Sequence, residues 1–141
     1  MHHLIGYDAL AAALNYIRSN VSVISLCTDA PLTLAQAISE YMLAKRGLSS
    51  SYFEGPIEFY GAGEQTDEGP DALMHVLPRE VQVSTAGVVH YVALTGGSEL
   101  LVVAPCSELE VQYGEKIEIQ QWCIRVRQPI QDCFENGGEQ S

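Results

Sequence analysis

The stretch V88-V-H-Y-V-A-L94, followed by T95-G-G-S98 and L100-L-V-V-A104, decides the fold class of this chain. Two apolar runs are joined by a short connection whose glycines tolerate positive φ, which is the strongest hairpin signal in the sequence. Successive side chains of a strand point to opposite faces, so the first run is expected to divide into two sets. These sets are Val88, His90, Val92 and Leu94 on one face, and Val89, Tyr91 and Ala93 on the other.

A further strand is predicted over V111-Q-Y-G-E-K-I-E-I119, continuing into W122-C-I-R-V126. The apolar period slips by one residue at Gln120–Gln121, which favours a β-bulge that keeps one face directed at the core. Trp122 is then expected to anchor that core. Together with the hairpin, these short strands predict a mainly β fold, an antiparallel β-sandwich with an N-terminal helix packed on it.

The preceding residues are expected to cover the sheet. An amphipathic helix is predicted over Asp8–Arg18, because Leu10, Leu14 and Ile17 recur at helical spacing. Val21–Cys27 has the β-branched composition of a strand. A T-x-x-Q capping box at Thr33 then predicts a second helix. That helix could run on to Gly47, but we favour a short helix ending near Ser39, followed by an extended segment.

The middle of the chain, Leu48–Asp71, is rich in glycine and serine and is predicted to be mostly loop. Its acidic residues do not match the spacing of a calcium-binding EF-hand loop, so a solvated acidic loop is expected. The acidic residues are Glu64, Asp67, Glu68 and Asp71. The aromatic residues of this segment are not explained by periodicity, and aromatic side chains are enriched at interfaces, so we predict a contact surface. The surface comprises Tyr52, Phe53, Phe59 and Tyr60.

Length and charge restrict the function. The 141 residues suit one domain, predicted over residues 1–130, with a polar tail over residues 131–141. A net charge of -11 disfavours binding to nucleic acid or to anionic membranes. No apolar run reaches the roughly 20 residues that span a bilayer. The N-terminus lacks the pattern of a secretory signal, so we expect synthesis in a reducing cytoplasm.

The four cysteines, Cys27, Cys106, Cys123 and Cys133, form no C-x-x-C pair, and no metal site is predicted. They are either buried or free thiols, or Cys27 and Cys106 are neighbours at strand ends that could oxidise later. Common catalytic signatures and cofactor motifs are missing. A thiol nucleophile would need Cys106 or Cys123 beside His90, but a structural histidine is the commoner role in such a strand. We therefore predict no catalytic residues and no cofactor.

The order of these segments resembles that of small virion proteins of tailed bacteriophages, often described as tail fibre, minor structural or decoration proteins. The resemblance is carried by S25-L-C-T-D-A-P31, T33-L-A-Q-A37, V88-V-H-Y-V-A-L94, L100-L-V-V-A-P105, E110-V-Q-Y-G-E-K-I-E-I119 and W122-C-I-R-V126. The sequence departs from the family pattern in residues 48–83 and in the charged Gly114–Lys116 turn.

The resemblance implies a non-enzymatic subunit that is present in the virion in many copies. It would form a homo-oligomer and contact capsid or tail proteins. Two alternatives from other classes stay open. One is a small β-domain that binds a host-surface ligand or glycan through the aromatic contact surface, and the other is a cysteine-dependent enzyme.

Overall fold

A computed structural model describes residues 5–60 and 70–128. The described elements are helix α1 (Tyr7–Asn20) and strands β1 (Val23–Cys27), β2 (Met42–Gly47), β3 (Phe53–Phe59), β4 (Asp71–Val76), β5 (Arg79–Gln82), β6 (Gly87–Thr95), β7 (Leu100–Val111), β8 (Lys116–Ile119) and β9 (Trp122–Val126). A π-helical turn (Gln36–Glu40) and a 3-10 turn (Ser50–Tyr52) lie between strands. The predicted polar tail and the acidic residues Glu64, Asp67 and Glu68 lie outside the described residues.

The strands form antiparallel sheets that stack as a sandwich. One sheet has the order β2-β1-β6-β7, a second has the order β3-β4-β9, and β5 pairs with β8. A bridge between Ala44 and Val83, together with a hydrogen bond of 2.8 Å from the Ser84 N–H to the Leu43 carbonyl, joins β2 to the end of β5. The prediction of a mainly antiparallel β-sandwich with an N-terminal helix packed on it is confirmed.

Helix α1 covers the β3-β4-β9 sheet. Leu10 and Leu14 of the helix are buried in the same cluster as Ile24 of β1 and Met74 of β4. Burying each such side chain contributes about 1.5–3 kcal/mol. Arg18 near the helix end donates a hydrogen bond of 2.5 Å to the Gly55 carbonyl, which ties the helix to β3. The predicted helix is therefore correct and extends slightly beyond Asp8–Arg18 at both ends.

The segment predicted to be mostly loop contains strand β3. Its pairing with β4 shifts register between Glu54 and Ile57, so the strand shows no regular alternation in the sequence. Gly55 lies at this irregularity with φ of +109°, and a Cβ there would lie 2.8 Å from the Leu73 carbonyl oxygen. A larger residue would therefore push the two strands apart.

The C-terminal strands also differ from the prediction. Val111–Ile119 is interrupted by a turn, and Gln120–Gln121 is a crossing between sheets rather than a β-bulge. Strand β8 pairs with β5, whereas β9 pairs with β4. The phase change in the sequence therefore marks a change of partner.

The β6–β7 hairpin is present, but an irregularity lies opposite His90. Val89 pairs with Leu109 and Tyr91 pairs with Pro105, so β7 carries three residues, Cys106 to Glu108, against one residue on β6. Val89 and Val92 consequently both face the main core, and the simple alternation predicted from Val88 to Leu94 holds only beyond this point.

Two other predictions have definite outcomes. The extended segment favoured after Ser39 is confirmed as β2. The Thr33 hydroxyl accepts the Gln36 N–H at 3.1 Å as predicted, but the Gln36 side chain accepts the Leu32 N–H instead of completing the capping box.

Candidate functional site

An open groove of about 340 Å³ lies between the edges of β7 and β8. In the described part of the chain, β7 pairs only with β6 and β8 pairs only with β5, so each has an unpaired edge. The β7–β8 groove, as we call it, has walls formed by residues 104–107 and Leu109 of β7 and by residues 117–122 from β8 to the start of β9. Leu26, Val89 and Val92 complete the lining from the core side. The groove therefore lies over buried core side chains, between two free strand edges.

The groove is open where the pairing of β7 with β6 is irregular. From Pro105 to Glu110 the strand is exposed, which follows the three-against-one irregularity opposite His90. Leu109 is in register with Val89, which is 2% exposed, yet Leu109 itself is 44% exposed. Paired residues of an antiparallel ladder share a face, so Leu109 belongs to the inner face but lacks a cover.

Trp122 closes the far wall of the groove and is only half-buried, although it packs against the main core. Its indole N–H is buried and has no acceptor among the described residues. A buried donor without a partner costs about 1–3 kcal/mol. Trp122, the predicted core anchor, therefore has an indole N–H without a hydrogen bond to the described residues at this wall.

Charges around the β7–β8 groove are mainly acidic. Glu118 is the charged residue in the lining, and Glu108 and Glu110 are exposed on β7. His90 lies beside them, with Nε2 at 2.9 Å from Glu108 Oε2 and Nδ1 at 2.9 Å from the Thr28 carbonyl. Both partners are acceptors, so the protonated ring satisfies both, and the Glu108 contact followed by the Thr28 contact raises the pKa of His90.

The predicted aromatic contact surface is not continuous in the fold. Phe53 is 2% exposed and lies in the core, so it does not belong to the predicted contact surface. The Arg79 guanidinium lies 4.6 Å from the Tyr52 ring centre and donates to its hydroxyl, and Arg125 lies 4.7 Å from the Phe59 ring centre. Tyr60 stays 45% exposed. Periodicity did not identify Phe53 as buried because the irregularity at Gly55 hides β3.

Strand β6 lies between the strands that carry Cys27 and Cys106. Cys27 is in register with Tyr91 on β6, and Tyr91 is in register with Pro105 on β7, just before the irregular stretch that begins at Cys106. Both thiols are free. Burial and, second, the nearby Cys106 raise the pKa of Cys27 to about 11, and burial raises the pKa of Cys106. That the two thiols are neighbours which could oxidise stays a prediction.

A different thiol contacts a histidine. Cys123 on β9 pairs in register with His75 on β4, and its Sγ lies 3.2 Å from His75 Nδ1. Gln121 Nε2 lies 3.3 Å from the same nitrogen. From the sequence, only His90 is a candidate base, because the pairing of β4 with β9 is not evident there. No group of three or more potential metal ligands is found among the described residues.

Comparisons with protein-family models, with curated proteins and with solved structures found no match. Among the residues that the structure describes, none of the helices has both the length and the apolar character needed to cross a membrane.

Proposed function

We propose that the protein is a non-enzymatic structural subunit of a tailed-bacteriophage virion. It acts by assembly in many copies, as a tail, neck or fibre component or as a head decoration protein. Its partners are other virion proteins and further copies of itself. The observation that carries the assembly role is the β7–β8 groove with its two unpaired strand edges. The resemblance of the strand segments supports the assignment to a virion.

The groove has the physical character of an association surface. An unpaired edge presents a row of backbone N–H and C=O groups that can pair with another chain. Strand β7 has 12 residues, and the irregularity at Cys106 to Glu108 divides its edge into two parts. Apolar side chains such as Leu109 and Trp122 lie directly beside this edge. A stable contact should bury more than about 1,000 Å² in total, and an edge of this length with its groove can contribute a large part of that area.

The test is whether the chain occurs in particles. In purified virions of the phage that encodes it, mass spectrometry should find this chain in many copies per particle. Leu109→Arg should reduce incorporation, because it places a charge in the groove wall. Tyr113→Arg is the matched control, since Tyr113 is 79% exposed in the neighbouring turn and does not line the groove. Absence of the wild-type chain from particles would contradict the proposal.

A second candidate, cysteine-dependent chemistry, is favoured by the contact between Cys123 and His75. Such a nucleophile needs a base in reach, and here the base is present. The pair lies on the outer face of the β3-β4-β9 sheet, since its neighbours in register, Met74 with Ile124, face the core. Thiol esters offered to the wild-type chain, to Cys123→Ser and to His75→Ala distinguish the two functions. Turnover that depends on both Cys123 and His75 would favour the enzyme.

A further inference from the structure

We infer that the β7–β8 groove binds one extended, basic segment of a partner protein as an added β-strand. The inference rests on the proposed assembly function and specifies the partner's chemistry. Three features of the groove carry it, namely the unpaired backbone edges, the apolar lining and the sign of the charges around it.

The backbone provides the first argument. Strand order runs from β7 through β6, β1 and β2, and the bridge between Ala44 and Val83 continues it to β5 and β8. The two ends of this series, β7 and β8, line the same groove. One additional strand paired with β7 would therefore lie between both ends. Addition of a strand to a free edge gains main-chain hydrogen bonds without requiring a particular side-chain sequence.

The lining provides the second argument, because it sets the pattern of the added strand. Alternate side chains of that strand would point into the groove, toward Val89 and Val92 at its base and between Leu109 and Trp122 at its walls. Apart from Glu118, the side chains of this lining are uncharged. The inward positions of the partner are therefore apolar. Its outward positions are free to carry polar residues.

The charges provide the third argument and disfavour pairing of β7 with the same strand of a second copy. Each copy carries a net charge of -11, and pairing β7 with β7 would bring Glu108 and Glu110 of both copies together. Like charges placed opposite each other in a ladder are destabilising. Lysine or arginine at the outward positions of a partner strand would instead face these carboxylates. Complementary charges of this kind set specificity and speed association.

The test uses peptides of about ten residues, similar in length to β7. Three peptides have valine at alternate positions and lysine, glutamate or serine between them. A fourth is the lysine peptide with the N–H groups of one edge methylated. Fluorescence anisotropy gives the affinity of each for the wild-type chain, Leu109→Arg and Tyr113→Arg. We expect the lysine peptide to bind wild type and Tyr113→Arg at least about tenfold more tightly than the glutamate peptide.

Leu109→Arg should weaken binding of the lysine peptide by about tenfold or more, and N-methylation should do the same because it removes ladder hydrogen bonds. The bound lysine peptide should also slow alkylation of Cys106, which lines the groove. Four results would overturn the inference: no peptide binds, lysine and glutamate peptides bind equally, N-methylation has no effect, or Leu109→Arg binds like wild type. Protection of Cys106 that increases with protein concentration alone would show that a second copy occupies the groove, and would overturn it too.

Failure of this inference can be distinguished from failure of the proposed function. A chain that binds the lysine peptide as expected but is missing from purified particles overturns the virion assignment and leaves the strand-addition chemistry in place. A chain that is abundant in particles but ignores the lysine peptide overturns the present inference alone.

Discussion

The side of the sandwich beneath α1 and the side at the β7–β8 groove contain similar apolar residues but differ in how those residues are covered. Beneath the helix, Leu14 and Met74 are completely buried, at 0% exposure. At the groove, Leu109 is 44% exposed although it lies on the inner face of its sheet. In the first region, helix α1 covers the apolar residues. In the second region, the apolar residues lie beside a free strand edge. The comparison suggests that the first region holds the fold and the second serves association.

The largest difference in the free energy of unfolding is expected when one leucine of each region is replaced by alanine. Leu14→Ala should lower the free energy of unfolding by about 2–5 kcal/mol, because it leaves a cavity in a closed core. Leu109→Ala should lower it by less than about 1 kcal/mol, since much of that side chain is already in water. Urea unfolding of the two variants measures both values. Equal losses would contradict the division into a closed and an open region.

Thiol reactivity should separate buried from exposed positions of the sandwich by about a hundredfold or more. Cys27 lies in a second buried cluster with Ala37 and Ala93, distinct from the core beneath α1. Cys27 is 0% exposed and its pKa is raised to about 11, so at pH 8 about one molecule in a thousand carries the thiolate. Cys123 is exposed and should be alkylated first, followed by Cys106 at the groove, whose pKa is raised by burial. Timed alkylation of the Cys133→Ser variant with peptide mass spectrometry gives the order. Labelling of Cys27 as fast as Cys123 would refute the burial on which this order depends.

A polar contact on the outer face of the β3-β4-β9 sheet also contributes to stability. Asp71 is 8% exposed and accepts hydrogen bonds from Arg125 Nε at 2.7 Å and from the Gln128 N–H at 2.8 Å. Asp71→Asn should cost about 1–3 kcal/mol, because it removes the charge from a buried acceptor of two hydrogen bonds.

The matched control for Asp71 is Glu80→Gln, since the Arg46–Glu80 pair is 3.9 Å apart with both side chains about half exposed. Exposed pairs of this kind contribute at most about 1 kcal/mol. Thermal unfolding should therefore show a clear decrease in Tm for Asp71→Asn and little change for Glu80→Gln. The same small change in both variants would show that the Asp71 contact adds no more to stability than an exposed pair.

The smallest effect is expected at His90, on the rim of the open region. Its folded pKa is raised above 6.5, chiefly by Glu108. A raised histidine pKa means that the protonated ring stabilises the fold fully below the unfolded pKa, and that this contribution is lost as pH rises through the raised folded pKa. NMR titration of Glu108→Gln should show a lower pKa of His90 than in the wild-type chain. An unchanged value would show that Glu108 is not the cause.

Much of the fold could be predicted from local patterns. The helix over Asp8–Arg18 and the hairpin through Thr95–Ser98 are both specified by residues close together in the sequence, and both are present. Strand β3 could not be predicted because a register shift at Gly55 removes its alternation. The split after Val111 was hidden by apolar residues that continue beyond the turn.

The candidate site was less accessible to sequence reasoning, since it depends on contacts between distant segments. Leu109 and Trp122 lie on different strands of different sheets, and nothing in their local sequence shows that they line one groove. The contact of Cys123 with His75 likewise requires the register between β9 and β4. Of the predicted contact residues, Tyr60 is exposed and Phe53 lies in the core. Composition could identify aromatic residues but not their burial.

The most direct measurement of the central claim is alkylation of Cys106 in the free chain and in purified virions, with Cys123 as the internal reference. Cys106 lines the β7–β8 groove, whereas Cys123 lies on the outer face of the other sheet. If the groove is the assembly surface, the ratio of Cys106 to Cys123 labelling should fall by at least about tenfold on incorporation, because a bound partner excludes the reagent. The same ratio in free and assembled chains would contradict the claim that this groove joins the protein to its particle.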